Sequence, residues 1–250
     1  MVGADPQWIW PNRLDSRTRS VRRQGCFGMN RHLPLFMKTC FLASFLVPVL
    51  AHAAPAVMVD AVPSGGVFVN YATIQVPIKN LEKAESREVE AGLASLVAQL
   101  TSFAEQNGVT HICLLSSAAE RTRGFMIEAA QAQLQLKTSD AYLVAVLYRN
   151  GVGSPAKVTF VTENPDPRKN PQYIRIKKVA VPEGWTSDAW VYFNLPRIQD
   201  EALKAGATQI FLTATGKGAR SAVIIPGAKV PLEVYAQDLE IQASWYIGDN

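Results

Sequence analysis

His111, Cys113 and Ser117 are the residues whose types and spacing could support nucleophilic catalysis, with His111 as the base. The first two lie two positions apart in the apolar, β-branched stretch 109–115, which predicts a buried strand. Because side chains alternate along a strand, both residues point to one side, which favours a packed, structural imidazole. A hydrolase that uses Ser117 or Cys113 with His111 is therefore the third functional hypothesis, since the sequence has no G-x-S-x-G motif and Ser117 does not begin an S-x-x-K motif.

A second group of polar and basic residues could bind a small anion. These residues occupy two predicted loops, 116–124 and 213–221, and they are Ser116, Ser117, Arg121, Arg123, Thr215, Lys217 and Arg220. The glycines of the second loop do not have the spacing of a P-loop and are typical of a hairpin turn. If both loops follow parallel strands of one sheet, they meet at the edge where open α/β sheets bind ligands. Small-anion binding is the alternative function.

Aromatic and basic residues near position 180 are typical of a protein-binding surface, because Trp, Tyr and Arg often anchor interfaces. The stretch 172–181 alternates like a strand with one wet face, and a predicted loop follows it. Trp190 and Trp245 are expected in the core. The basic residues could instead mark a solvated edge strand, where lysine prevents unwanted pairing. The predicted partner contacts are Tyr173, Arg175, Lys177 and Trp185.

The segment 37–56, MKTCFLASFLVPVLAHAAPA, decides which of these residues the working protein carries. Its apolar run of 13 residues is shorter than the ~20 that a membrane-spanning helix needs. Basic residues precede the run, and Ala51-His52-Ala53 provides the small residues that a signal peptidase recognises. The pattern predicts a secretory signal peptide, cleavage near Ala53, and a periplasmic or secreted mature chain without an integral membrane span. A short core helix is the alternative for the apolar run.

The predicted signal peptide divides the chain into segments. A signal peptide starts close to its apolar block, so translation could begin at Met29 or Met37 instead of Met1. We predict a non-structural upstream extension at 1–28, the signal peptide at 29–53, an extended arm at 54–66 and a single α+β domain at 67–250.

Removal of residues 1–53 changes the charge and the set of available ligands. The chain has 25 Lys and Arg against 21 Asp and Glu, and the removed segment holds 7 of the basic and 2 of the acidic residues. The remaining 18 basic and 19 acidic residues give no reason to expect a nucleic-acid partner. His111 and Cys113 are then the only His and Cys. We therefore expect no intramolecular disulfide, no metal and no cofactor.

Hydrophobic periodicity predicts the elements that position these residues. Apolar residues from Val89 to Phe103 recur at steps of three and four, which predicts a helix that ends at Asn107-Gly108. A second helix is predicted at 118–136, and a hairpin joins predicted strands at 141–148 and 157–162. Further along we predict a strand at 189–193, a short helix at 197–204, and strands at 208–213, 222–225, 230–235 and 239–245.

Two short stretches, 108–114 and 206–212, share the pattern G-x-T-x-I-x-L. Each follows a predicted helix and an earlier strand, so a duplicated β-α-β unit would explain both and would place each pair of strands parallel in one sheet. The alternative is that any helix-to-strand connection favours Gly followed by β-branched residues. The predicted fold class is α+β, a β-rich sheet with two or three helices, and with two β-α-β units if the repeat is real.

The combined prediction is an exported, soluble, non-enzymatic domain that binds another protein in the cell envelope or outside the cell. No coherent catalytic or metal-binding set remains after removal of residues 1–53, whereas aromatic and basic residues do. The small-anion binding protein and the hydrolase stay as alternatives.

Overall fold

The computed structural model describes residues 8–9, 53–76, 78, 81–139, 141–153, 158–163, 173–178, 181–182 and 184–247, with the backbone alone at 8–9 and 173–178. Within these residues the chain forms two α-helices and three β-sheets, the α+β fold that the sequence predicts. Neither helix combines the length and the apolar character that crossing a membrane requires. The elements in chain order are β1 Trp8–Ile9, β2 Ala56–Val59, β3 Val67–Gln75, α1 Ser86–Gln106, β4 His111–Leu115, β5 Thr122–Ile127, β6 Ala132–Lys137, β7 Tyr142–Arg149, β8 Thr159–Val161, β9 Tyr173–Lys178, α2 Ser187–Lys204, β10 Gln209–Val223 and β11 Leu232–Tyr246.

The first sheet places β7 between the two strands that α1 connects. Its order is β1-β3-β7-β4-β2, and both β3 and β4 pair antiparallel with β7. β3 and β4 therefore run parallel with one strand between them. β2, which comes from the segment 54–66, pairs parallel with β4. At the opposite edge, β1 pairs antiparallel with β3.

α1 buries one stripe of apolar side chains against this sheet. The stripe shares a core with β4 and β7 residues such as Ile112 and Leu143. The helix ends at Gln106 with Asn107 as its C-cap, and Gly108 follows with a φ of +63°. This confirms the helix and the stop signal that periodicity predicts. The buried α1 residues are Val89, Leu93, Leu96, Val97, Leu100 and Ala104.

The second sheet repeats the topology of the first. Its order is β8-β10-β11-β9, and both β9 and β10 pair antiparallel with β11. β9 and β10 are therefore parallel, and α2 connects them as α1 connects β3 and β4. β8 pairs parallel with β10, as β2 pairs with β4. The structure thus contains the two β-α-β units that the G-x-T-x-I-x-L pattern suggested.

The shared sequence pattern forms the same turn in both units. Gly108 and Gly206 follow their helices with φ of +63° and +75°, the left-handed region that favours glycine. The threonine two residues later donates its backbone N–H to the tyrosine carbonyl at the end of the antiparallel neighbour. These bonds are Thr110 to Tyr148 at 2.9 Å and Thr208 to Tyr246 at 3.0 Å.

α2 lies between the two sheets, in contact with β3 of the first and with β10 and β11 of the second. One core cluster includes Cys113 from the first sheet, Leu195 from α2 and Ile241 from the second sheet. A buried hydrogen bond from Gln199 Nε2 to the Val62 carbonyl, 2.8 Å long, ties α2 to the connection before β3. The two units are therefore packed through one shared helix.

Pro196 stands inside α2 and removes one helical hydrogen bond, because proline has no N–H to donate to the carbonyl four residues earlier. That carbonyl belongs to Tyr192, and it accepts a hydrogen bond of 3.0 Å from the Tyr148 hydroxyl of β7. The first sheet thus satisfies the backbone group that the proline leaves open.

The segment 118–136, predicted as a helix, is instead the hairpin of β5 and β6. Gln131, with a φ of +50°, lies between the strands after a 3₁₀ turn at Glu128–Ala130, so the turn has none of the usual Gly or Pro signals. The prediction was wrong because the strands are short and their alternation was not recognised. Their buried residues alternate: Phe125, Ile127, Leu134 and Leu136.

Three predictions for the second half of the chain are also wrong. Residues 189–193 belong to α2, because packing overrides the β-propensity of their aromatic side chains. The strands at 141–148 and 157–162 form no hairpin, since β7 and β8 lie in different sheets. The region 213–221 is no loop but part of β10, which pairs with β11 along most of its length.

Candidate functional site

Three aromatic side chains, Trp185, Trp190 and Phe193, form a surface at the start of α2, which we call the aromatic surface. Phe193 stacks on Trp190, with ring centroids 5.3 Å apart and planes 13° from parallel. Trp185 meets both rings edge-on, at 5.9 Å from Trp190 and 5.4 Å from Phe193. Phe193 is 41% exposed, while both tryptophans are half-buried. Such an arrangement leaves aromatic area exposed at the surface.

Local structure holds these rings in place. The two members on α2 lie three residues apart and therefore share one face of the helix. Thr186 caps the helix, since its side-chain oxygen accepts a hydrogen bond of 3.2 Å from the Ala189 N–H. The ring of Trp185 lies 5.9 Å from that of Phe68, which belongs to β3. The aromatic surface is thus supported by both the helix cap and the first sheet.

The partner contacts predicted from the sequence lie in two places. Trp185 belongs to the aromatic surface. The other three lie on β9, the edge strand of the second sheet, at register positions opposite buried residues of β11. These pairs are Tyr173 with Trp245, Arg175 with Ala243, and Lys177 with Ile241.

Trp190 and Phe193 are the functional candidates that sequence reasoning missed. A predicted strand at 189–193 hid their helical spacing, and Trp190 was expected in the core, where Trp245 does lie. Thr186 followed by Ser and Asp is a helix N-cap signal, and it would have placed both residues on one helix face.

The catalytic candidates do not come together. His111 is buried at the first position of β4, with Nδ1 2.9 Å from Thr110 Oγ1, and burial lowers its pKa. Burial raises the pKa of the Cys113 thiol, which disfavours the nucleophilic thiolate. Ser117 lies beyond the far end of β4, whose five residues span about 13 Å, and donates its backbone N–H to the Gln135 carbonyl at 2.7 Å. The His111 ring therefore has no access to the Ser117 hydroxyl.

The basic residues of the predicted anion site are dispersed, and three of the four hold other partners. Arg123 donates three hydrogen bonds, of 2.8, 2.7 and 2.6 Å, to the turn before α1 and to its first residue. Lys217 and Arg220 on β10 pair with carboxylates of β11 at 2.9 and 3.4 Å, and Thr215 lies on the same strand. Arg121 lines a groove near the start of β5. No described surface gathers these side chains around one point.

Ser116 and Ser117 line a groove of about 640 Å³ at the carboxyl end of β4. The turn 227–231 forms the opposite wall, not the region 213–221 that the sequence suggested. Asp60 accepts hydrogen bonds from both the backbone N–H and the hydroxyl of Ser116. Asp60, Glu120, Glu163 and Lys229 all line this groove, so carboxylates outnumber the single ammonium and disfavour an anion there.

No protein-family model, curated protein or solved structure matches this chain. Within the described ranges, no three His, Cys, Asp or Glu side chains are placed to hold a metal ion together.

Proposed function

We propose that this protein is an exported, non-enzymatic domain that binds another protein through the aromatic surface. The exposed stacking of Phe193 on Trp190 carries the proposal. Aromatic side chains bury large areas on binding, and clusters of them act as interface hot spots. Rings that are already fixed by their neighbours lose little freedom when a partner covers them, which favours affinity.

The geometry of the catalytic candidates supports a binding role over an enzymatic one. A nucleophile and its base must lie within hydrogen-bond reach, about 2.6–3.2 Å. His111 begins β4 whereas Ser117 lies beyond its other end, and the buried Cys113 thiol has a raised pKa.

Export is part of the proposal and rests on the signal pattern at 29–53. A mature chain that begins near Ala54 carries nearly balanced charge, so attraction to a polyanion is not expected. The partner should therefore be sought among proteins of the cell envelope or outside the cell.

The decisive experiment replaces the exposed ring of the aromatic surface. A tagged chain that begins at Ala54 would be cross-linked in the native envelope fraction, and the captured partner would then be titrated against purified variants. We expect Phe193→Ala to weaken binding about 30-fold, which corresponds to the roughly 2 kcal/mol of a hot-spot residue. Circular dichroism would verify that the variant keeps its fold.

Tyr142→Ala is the matched control, because Tyr142 is also 41% exposed but lies on β7, away from the aromatic surface. We expect its affinity for the partner to equal that of the parent chain. An unchanged affinity for Phe193→Ala, or an equal loss in both variants, would contradict a role for the aromatic surface.

A further inference from the structure

The equivalence of the two sheets shows what the outer edge of β9 can accept. β3 and β9 are equivalent strands. Each precedes its helix, and each pairs antiparallel with the strand, β7 or β11, that also pairs with the strand after that helix. In the full chain the outer edge of β3 carries β1 as an antiparallel strand, and a chain that begins at Ala54 leaves this edge open as well. The outer edge of β9 carries no strand within the described part of the chain. An edge strand presents a row of backbone N–H and C=O groups that a further strand can pair with.

The sequence of β9 gives this edge a positive charge. Arg175 and Lys177 lie opposite Ala243 and Ile241 of β11. The equivalent positions of β3 are Ala72 and Ile74, which lie opposite Ala145 and Leu143 of β7. Both of these β3 residues are apolar and buried. The second sheet therefore has two cationic residues at alternate positions of its edge strand where the first sheet has none.

We infer that the outer edge of β9 binds an extended acidic segment of the partner protein as an added antiparallel strand. The inference rests on the proposed protein-binding function and names the chemistry of the partner. Main-chain hydrogen bonds would give affinity, and acidic residues at alternate positions of the added strand would occupy register positions beside Arg175 and Lys177. Because like charges directly opposite each other destabilise a strand pair, the same residues oppose a basic strand or a second copy of β9.

Lysine and arginine on an edge strand can also serve only to prevent pairing. The two roles predict different behaviour toward an acidic strand. A protective edge rejects every added strand, whereas a docking edge accepts an acidic one and rejects a basic one.

The test uses labelled peptides and the chain that begins at Ala54. Fluorescence anisotropy would compare the peptide Thr-Glu-Val-Glu-Val-Glu-Thr with the version that has Lys for Glu. We expect the acidic peptide to bind at least tenfold more tightly. Two further acidic peptides carry N-methyl groups at odd or at even positions, so that each loses the donors of one edge. One of these should lose binding and the other keep it, because a strand pairs through one edge only.

The double variant Arg175→Glu with Lys177→Glu should reverse the preference and bind the Lys peptide instead. Lys83→Glu with Lys204→Glu makes the same change in net charge at two exposed positions outside β9 and should leave the preference unchanged. If the parent chain binds neither peptide, or binds both N-methylated acidic peptides equally, the inference is overturned. The second result would indicate charge attraction without strand pairing.

The outcome is separable from that of the proposed function. Loss of the captured partner in Phe193→Ala, together with no peptide binding, would retain the aromatic surface and reject the β9 edge. Peptide binding that is sensitive to N-methylation, together with full partner binding by Phe193→Ala, would retain the β9 edge and reject the aromatic surface.

Discussion

At the scale of single residues, His111 shows how a side chain that could act in catalysis has a structural role instead. Its ring is buried beside Thr110, and a Cβ added at Gly151 would come within 3.1 Å of its Nδ1. Close packing of this kind leaves no room for a substrate and disfavours the charged imidazolium, so the pKa of His111 is lowered. Strand alternation alone predicts this packed position, and burial confirms it.

His111 should make stability depend on pH. In the unfolded chain its pKa is ordinary, about 6.5, whereas burial lowers it in the folded chain. The unfolded state therefore binds more protons between these values, so the contribution of His111 is complete above pH 6.5 and is lost as the pH falls toward the lowered pKa. Urea unfolding at pH 7.5 and pH 5 should show a smaller loss of stability on acidification in His111→Gln than in the parent chain.

Glutamine is the fitting replacement because Gln209 holds the equivalent position in the second sheet. An equal loss of stability in both proteins between pH 7.5 and pH 5 would show that other groups account for the acid sensitivity.

At the scale of elements, the turn after each helix is the feature that the two β-α-β units share most closely. Gly108 and Gly206 adopt positive φ, which costs an L-residue roughly 1–2 kcal/mol. An added Cβ meets nothing within 4 Å at Gly206 and only the Arg149 side chain, at 3.9 Å, at Gly108. The cost of Gly→Ala should therefore come from the backbone alone. We expect Gly108→Ala and Gly206→Ala each to lower the free energy of unfolding by roughly 1–2 kcal/mol, as measured by urea denaturation.

Gly92→Ala provides the control for this pair, because Gly92 lies inside α1 and its added Cβ would make an ordinary contact with Ile78 at 3.5 Å. Alanine favours a helix interior by about 1 kcal/mol over glycine, so stability should rise. Asparagine at Gly108 or Gly206 should cost less than alanine, since it tolerates the left-handed region. Equal effects of Ala and Asn would contradict a backbone origin.

The different packing of the two helices explains why hydrophobic periodicity predicts α1 but not the start of α2. α1 packs on one sheet, so its apolar residues form one stripe and its period of 3.6 is visible. α2 packs between two sheets, and its buried residues fall on more than one face, which erases that period. The aromatic surface was hidden for this reason, since Trp190 and Phe193 can be paired only once α2 is recognised as a helix.

At the scale of the whole molecule, α2 makes the stability of one half depend on the other. The face of the first sheet that carries Cys113 and Tyr148 packs in the same core as α2 and the second sheet. Hydrogen bonds reinforce this packing, since Asp200 of α2 accepts from Ser64 Oγ at 2.6 Å and from the Gly65 N–H at 2.9 Å. The core that both sheets share with α2 is lost if either sheet leaves, so local patterns in one half cannot predict how the halves combine.

This packing predicts one cooperative unfolding transition for the chain that begins at Ala54. Its three tryptophans all lie in the second half, and its one cysteine, Cys113, lies in the first, so the two halves carry separate probes. The thiol is buried with a raised pKa and should react with a disulfide reagent only after unfolding. Tryptophan fluorescence and thiol reactivity should therefore give the same urea midpoint.

Leu195→Ala sharpens this prediction, because Leu195 is fully buried in the core that α2 shares with both sheets. Truncation of a buried leucine costs roughly 2–5 kcal/mol, so the midpoint should fall substantially. Since the halves unfold together, thiol reactivity and tryptophan fluorescence should shift by the same amount. A shift of the fluorescence transition alone would mean that the first half unfolds independently of α2, and the shared core would then not couple the two units.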